Sequence, residues 1–172
     1  MIDFHTHILP NMDDGAGSAE ESAALLQMEA EQGVRHVFLT SHFYADEEEP
    51  ASFLQRREAS LRTLTPYPLS LTPQIHLASE VYYFPGLSDC AEIKPLTLGE
   101  TGCILVEPPM SPWSESMLDD IEAIGPQLGL APVIAHVDRY CRLLEDYDLF
   151  DRLQERKILI QVLDFQQGIC GM

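Results

Sequence analysis

In MIDFHTH, residues 1–7, a short apolar run leads directly into His5 and His7. The same order recurs along the chain: an apolar run rich in strand-forming residues, then a polar loop, then an amphipathic helix. Strands that alternate with helices at this spacing indicate parallel βαβ units. The sequence therefore predicts an α/β fold.

The predicted strands are short and separated by the predicted helices. The strands cover residues 1–4, 36–40, 75–78, 103–106, 132–135 and 158–162. The clearest helix begins at Ser18, which has capping-box spacing to Glu21, and ends near Gly33. Three more helices are predicted over residues 51–62, 114–128 and 147–155.

The predicted strands are followed by side chains that can bind a metal. In chain order these candidates are His5, His7, Asp14, His42, Glu80, Glu107 and His136. In an α/β barrel the carboxyl ends of the strands converge on one face, so residues distant in sequence meet around one cavity. We therefore expect a single site built from the strand ends.

Each candidate also has an ordinary explanation. Asp14 belongs to an Asp-Asp-Gly sequence that fits a turn, and His42 fits a loop cap. Glu80 and Glu107 carry more weight, because a carboxylate directly after an apolar strand is costly to bury without a partner. The repeated placement of such residues at strand ends is what favours a metal site over the separate explanations.

The types of side chain indicate which metals fit. Imidazole together with carboxylate suits manganese, iron or zinc, whereas calcium prefers oxygen ligands alone. Several mixed ligands, with carboxylates able to bridge, indicate two or three metals. His36 and His76 stand at the starts of their strands, so we expect them to be surface or packing residues outside the site.

Composition excludes several classes of function. The net charge of −18, from 28 acidic and 10 basic residues, leaves no basic surface for nucleic acid and opposes binding to an acidic membrane. Four cysteines without a C-x-x-C pair, no signal-like N-terminus and no long apolar run indicate a cytoplasmic protein without membrane insertion. A length of 172 residues with 45% hydrophobic residues predicts one domain over 1–172.

Several motifs together resemble one family. DFHTHILP at residues 3–10, followed by DDG at 13–15, is similar to the start of bacterial PHP-domain (polymerase and histidinol phosphatase) proteins. Within that superfamily it looks most like the capsule-biosynthesis tyrosine phosphatases of the CpsB/YwqE type. The further matching motifs, in the family's order, are TSH at 40–42, ASE at 78–80, VEP at 106–108 and AHVDRY at 135–140. The resemblance covers essentially the whole chain.

The resemblance implies a TIM-like distorted (β/α) barrel with up to three metals, manganese first and iron or zinc as alternatives. It implies that all seven candidates above are metal ligands and that His136 also takes part in catalysis. It further implies that Arg139 binds the phosphate. The alternative for Arg139 is a surface ion pair with Asp138 or Glu145. The implied reaction is hydrolysis of phosphotyrosine on a protein substrate. The implied substrate is a bacterial tyrosine kinase that controls exopolysaccharide and capsule assembly. Nothing in the residues indicates an oligomeric state.

Two departures from the family pattern leave alternatives open. Residues 136–140 read HVDRY where the family usually has HPERY. The family also takes two further metal ligands from an Asp-x-His motif, and no such motif follows residue 162. A complete barrel also needs about 250 residues. We therefore expect a barrel incomplete at its C-terminus, and either a shortened chain or a reduced metal site. There are two alternatives to the tyrosine phosphatase. One is a phosphatase of small esters such as histidinol phosphate, and the other is a non-catalytic metal-binding or regulatory remnant.

Other phosphate chemistries are excluded by their motifs. A cysteine-based tyrosine phosphatase needs a cysteine and an arginine separated by five residues in its phosphate loop. None of the four cysteines has an arginine at that position. The G-x-x-x-x-G-K-[ST] phosphate loop of the common nucleotide hydrolases is also absent from the sequence.

Overall fold

A computed structural model describes residues 1–64, 73–143 and 148–162, without the side chains of 141–143. Its strands are β1 (Ile2–Thr6), β2 (His36–Leu39), β3 (His42–Phe43), β4 (Gln74–Leu77), β5 (Glu80–Tyr82), β6 (Cys103–Glu107), β7 (Ala131–Ile134) and β8 (Leu159–Ile160). Its α-helices are α1 (Ala19–Glu31), α2 (Pro50–Leu64), α3 (Glu115–Leu128), α4 (Val137–Leu143) and α5 (Leu149–Glu155). Two 3-10 helices, Leu87–Asp89 and Ala91–Leu96, follow β5.

The strands form two parallel sheets with the orders β1-β2-β4 and β3-β5-β6-β7-β8. Every pair of neighbouring strands is parallel, as the alternation of strands and helices predicts. The α/β prediction is therefore confirmed. In the described residues the strands make two sheets, and closure into a barrel stays a prediction.

The chain passes from the first sheet to the second at two equivalent places. Two residues, Thr40-Ser41, separate β2 from β3, and two others, Ala78-Ser79, separate β4 from β5. All four side chains are buried, and their backbones stay hydrogen-bonded: the Ala78 amide donates to Leu39 O at 3.1 Å, and the Glu80 amide donates to Ser41 O at 3.1 Å. These crossings place His42 and Glu80 side by side at the starts of β3 and β5.

Local sequence signals explain the longer helices. Ser18 accepts a hydrogen bond from the Glu21 amide at 3.2 Å and begins α1, as the capping-box spacing predicts. Ser114 accepts from the Met117 amide at 3.1 Å and begins α3, which ends at Gly129 with φ 73°. The left-handed conformation at Gly129 is one that glycine adopts without strain. The first three predicted helices are thus confirmed; residue 147, where the fourth prediction begins, lies outside the described residues.

The apolar core lies between the sheets and the helices. The helix α3 buries Met117, Leu118, Ile121, Ile124 and Leu128 against it. Phe43 of β3 is fully buried and meets the ring of Phe53 edge-on, with centroids 5.3 Å apart. Since Phe43 directly follows His42, this contact anchors one predicted site residue to α2. No helix in the described ranges has the length and apolar character needed to cross a bilayer.

A single carboxylate fastens the segment that follows β5 to α3. Asp120 accepts hydrogen bonds from the backbone amides of Gly86 (2.8 Å), Leu87 (3.2 Å) and Ser88 (3.2 Å). It also accepts from the hydroxyls of Ser88 (2.6 Å) and Tyr83 (3.1 Å). Burial alone raises the pKa of Asp120, but these hydrogen bonds outweigh it and hold the pKa below its usual value. The ionised form is therefore favoured in the folded protein.

Candidate metal centre

Glu80 lies at the centre of the site, and its side chain is 1% exposed. Its Oε2 lies 3.0 Å from His5 Nε2, 3.2 Å from His7 Nε2 and 3.3 Å from His42 Nδ1. Its Oε1 lies 2.9 Å from His136 Nε2. Four imidazoles from three separate parts of the chain thus surround one buried carboxylate.

The other two predicted carboxylates lie around this centre. Glu107 Oε2 is 3.3 Å from His42 Nδ1, and its Oε1 is 3.6 Å from His136 Nε2. Asp14 is at the rim: its side chain is 84% exposed, and its Oδ1 is 3.7 Å from His42 Nε2. The structure therefore brings all seven candidates together. With Tyr44 and Arg139 they line one cavity of about 400 Å³.

The ligand atoms fall into three overlapping groups, each with its atoms within 4.8 Å of one another. The groups are His5-His7-Glu80, His7-Asp14-His42 and His42-Glu80-Glu107. Any two groups share one residue, which is His7, His42 or Glu80. His136 belongs to none of them, but it contacts both glutamates.

Two residues that were not predicted as part of the site, Asp13 and Gln161, contact the Nδ1 atoms of His7 and His5, on the side of each ring that faces away from Glu80. Asp13 Oδ2 lies 2.9 Å from His7 Nδ1 and accepts a hydrogen bond from the His42 amide at 2.9 Å. Gln161 Oε1 lies 2.7 Å from His5 Nδ1 and accepts from the His136 amide at 3.0 Å. Since both acceptors are oxygens, the Nδ1 atoms of His5 and His7 donate to them, so in the neutral imidazoles the Nε2 lone pairs face the cavity.

Divalent transition metals fit this arrangement. The Nε2 atoms of His5 and His7 lie 3.3 Å apart and face the same carboxylate oxygen, an arrangement that a cation between them stabilises. His136 Nδ1 is buried without a hydrogen-bond partner. A buried polar atom without a partner costs about 1–3 kcal/mol, so such atoms are rare unless they serve a function.

The buried carboxylates of the cavity favour positive charge on the groups around them. Burial alone lowers the pKa of His7, but Asp13 and Glu80 outweigh it and raise that pKa to about 10. Burial alone raises the pKa of Glu80, but hydrogen bonds from His136, His5 and His7 hold it far below its usual value. Protons or metal ions therefore stabilise the buried carboxylate, and metal ions can do so with the imidazoles neutral.

The loop after β1 packs tightly around His7. A Cβ atom on Gly15 would lie 2.0 Å from His7 O, and the Ala16 amide donates to that same oxygen at 3.0 Å. The Gly15 amide donates to Asp13 Oδ1 at 3.0 Å, which orients the carboxylate that holds His7. Glycine is required at residue 15 because no side chain fits in this space.

The backbone of His136 is strained. Its φ of 34° lies in the left-handed region, which costs a non-glycine residue about 1–3 kcal/mol and occurs most often at functional sites. The contacts that hold it come from residue 161: the Val137 amide donates to Gln161 O at 2.9 Å, and the Gln161 amide donates to Ile134 O at 2.8 Å. His136 is thus fixed at the turn between β7 and α4.

The remaining predicted residues take distinct places. Arg139 is exposed on α4 and lines the cavity. His36 and His76 pair with each other on β2 and β4, with 3.1 Å between Nδ1 and Nε2, and the ring of His76 stacks on Phe38 at 4.5 Å. Neither histidine lines the cavity, as predicted, although His76 is the third residue of β4 and only His36 begins its strand.

The chain is similar to known tyrosine phosphatases. It is 31% identical over 171 residues to the tyrosine-protein phosphatase YwqE of Bacillus subtilis, covering 94% of this chain and 64% of the relative. It is 35% identical over 147 residues to the tyrosine-protein phosphatase CpsB of Streptococcus pneumoniae, covering 81% of this chain and 58% of the relative. The chain therefore spans less than two thirds of the length of these relatives.

The fold and the family agree with these similarities. A chain from the crystal structures of YwqE from Bacillus subtilis and CpsB from Streptococcus pneumoniae, described as unique metal-dependent tyrosine phosphatases, superposes with a TM-score of 0.74. The identity is 25%, and the match covers 94% of this chain and 66% of the solved one. The sequence profile of the family described as "Capsular polysaccharide synthesis, CpsB/CapC" matches residues 1–169. The chain belongs to the CpsB/CapC family of capsular polysaccharide synthesis proteins.

Proposed function

We propose that this chain is a metal-dependent phosphatase that hydrolyses phosphotyrosine on a protein. The observation that carries the proposal is the convergence of four imidazoles on the buried Glu80 carboxylate, in a cavity with Arg139 at its wall. The names of the relatives, tyrosine-protein phosphatases, support the substrate class. The description of the solved relatives as metal-dependent supports the need for metal.

In this proposal the metal ligands are His5, His7, Asp14, His42, Glu80, Glu107 and His136. The overlap of three ligand groups favours two or three ions, and the mixed imidazole and carboxylate donors favour manganese, with iron or zinc as alternatives. When bound, such ions supply the Lewis acidity that activates water and neutralises phosphate oxygens. Asp13 and Gln161 hold two of the imidazoles with their lone pairs toward the cavity.

Arg139 binds the phosphate in this proposal. A guanidinium group can donate two parallel hydrogen bonds to phosphate oxygens, which a lysine cannot do in the same geometry. The net charge of −18 repels phosphate from the rest of the surface, so positive charge inside the cavity is needed for binding. We assign His136 a catalytic role besides its role as a ligand, because its Nε2 is close to both Glu80 and Glu107.

The leaving group explains why no proton donor is assigned. The phenol of tyrosine has a pKa of about 10, so the phenolate leaves with less help from an acid than an alkoxide does. We propose a bacterial tyrosine kinase as the phosphoprotein, acting in capsule or exopolysaccharide synthesis, since the family is described by that process. We further propose that the chain works in the cytoplasm as one domain over 1–172.

The test joins metal analysis to a substrate comparison. Protein purified without chelator is expected to hold at least two transition-metal ions per chain and to hydrolyse a phosphotyrosine peptide in preference to histidinol phosphate. His136→Ala should abolish metal-dependent turnover and leave the circular dichroism spectrum unchanged. His76→Ala is the matched control, because it removes a histidine that packs outside the cavity.

Three results would contradict the proposal. Unchanged turnover in His136→Ala would remove the role of that residue. A preference for histidinol phosphate would favour a phosphatase of small esters. A well-folded wild type without turnover at any added metal would favour a non-catalytic, regulatory protein.

A further inference from the structure

We propose that the ring of Tyr44, supported by Tyr82, forms the surface that selects an aryl group next to the phosphate. This inference rests on the proposed function, since it concerns the ester group of the same substrate. It assigns a specificity role to a residue that the strand-end pattern of ligands does not include.

Tyr44 differs from the other residues that line the cavity. Among the lining residues in the described part of the chain, Tyr44 is the only one that is neither a histidine nor charged. The others can contact metal ions or phosphate oxygens, but they offer little to an apolar ester group. The aromatic face of Tyr44 is therefore the surface on which such a group can be buried.

The strand register places the two tyrosines directly beyond the ligands. His42 pairs with Glu80 across β3 and β5, and Phe43 pairs with Val81. Val81 is fully buried in the core, so alternation along β5 turns Tyr82 toward the same side as Glu80. Tyr44 directly follows β3, and its ring lies beside that of His42.

Direct contacts hold the ring of Tyr44 in this place. Its centroid lies 5.4 Å from that of Tyr82 at an interplanar angle of 44°, and 5.5 Å from that of His42 at 30°. Both distances are within the range of attractive aromatic pairs. A ring packed on two sides loses little further freedom when a ligand binds, which makes it an effective recognition surface.

The positions of the ligands and the tyrosines along the strands explain the proposed preference for an aryl ester. Functional residues of α/β barrels lie toward the carboxyl ends of the strands, and Tyr44 and Tyr82 each lie two residues further in that direction than the paired ligands His42 and Glu80. A phosphate held at the level of His42 and Glu80 directs its ester group outward, to the level of Tyr44 and Tyr82. An aryl ester can pack on the Tyr44 ring there, whereas a short alkyl ester leaves that ring uncovered.

The inference is tested with two phosphonates that cannot be hydrolysed. Binding of phenylphosphonate and of methylphosphonate to manganese-loaded protein is measured by calorimetry. The wild type is expected to prefer phenylphosphonate, and Tyr44→Leu should reduce that preference about 3- to 10-fold, the scale of one aromatic contact. Tyr44→Phe keeps the ring and should retain the preference within about twofold.

The outcomes separate this inference from the proposed function. An unchanged preference in Tyr44→Leu, no preference in the wild type, or no binding of either phosphonate would overturn the role of Tyr44. Hydrolysis of the phosphotyrosine peptide is measured on the same wild-type sample. Absent hydrolysis with a preference that Tyr44→Leu reduces would support the aromatic surface and count against the phosphatase proposal alone. Tyr82→Leu gives a second variant, expected to weaken phenylphosphonate binding less than Tyr44→Leu because Tyr82 acts through the Tyr44 ring.

Discussion

Replacement of Asp13 by asparagine should weaken metal binding although Asp13 is not itself a proposed ligand. The carboxylate orients His7 through a 2.9 Å contact and accepts from the His42 amide at 2.9 Å with the same oxygen. Asparagine has nearly the same shape, but it carries no charge, and only one of its two terminal atoms can accept a hydrogen bond. Asp13→Asn thus weakens the hold on two proposed ligands without opening a cavity.

The magnitude follows from the role of such partners in other metal sites. Loss of the group that orients a ligating histidine reduces metal affinity by about 10- to 100-fold, which corresponds to about 1.4–2.7 kcal/mol. We expect Asp13→Asn to fall in this range, because Asp13 is 5% exposed and water therefore cannot easily replace its carboxylate. The effect on metal-free stability should be smaller than the effect on metal binding.

Competition with a chelator of known affinity measures the dissociation constant for Mn²⁺, and urea unfolding of the metal-free protein measures stability. Asp46→Asn is the control, since it removes the same charge from an exposed residue outside the proposed ligands. Equal Mn²⁺ affinity in Asp13→Asn and wild type would show that Asp13 does not hold the proposed ligands in place. An equal loss in both variants would assign the effect to net charge.

Two further changes test the loops around the site. Gly15→Ala should destabilise the fold by about 1–3 kcal/mol in urea unfolding, because its Cβ would lie 2.0 Å from His7 O; wild-type stability would show that the loop moves freely. Asp120→Asn should reduce stability by about 1–2 kcal/mol at neutral pH, a value that allows for partial exposure of the carboxylate. Because the folded pKa of Asp120 is lowered, its stabilisation is complete above the unfolded pKa of about 3.9 and is lost as pH falls through the folded pKa. The stability difference between wild type and Asp120→Asn should therefore shrink in acid, and a difference that stays constant down to low pH would contradict this account.

The fold class was predictable from the sequence because the longer elements carry strong periodic signals. The apolar face of α3 and the serines that begin α1 and α3 are visible without a structure. The strands β3 and β5 were not predicted, since two and three residues are too few to show alternation. Their absence from the prediction concealed the two crossings, and Glu80 begins a strand instead of ending one.

The ligand-type residues of the site were predictable because parallel strands end on one side of a sheet. That rule identifies His5, Glu107 and His136 from their order alone. It could not identify Asp13, because an Asp-Asp-Gly turn does not reveal which carboxylate points inward; Asp13 is 5% exposed and Asp14 is 84% exposed. Gln161 lies within the sixth predicted strand and directly follows β8, but an amide is not a typical metal ligand and gives no signal of its role.

In the proposed metal centre, the overlap of the three ligand groups affects how ions would be taken up. Since any two groups share a residue, an ion in one group engages a donor that the next group also needs. Each ion therefore changes the affinity for its neighbour: a bridging carboxylate favours joint occupancy, whereas competition for one imidazole lone pair opposes it. Metal content as a function of free metal concentration should then depart from the curve for independent sites. Partial loading would yield a mixture of species, and binding of the last ion would determine how much of the protein holds all its ions.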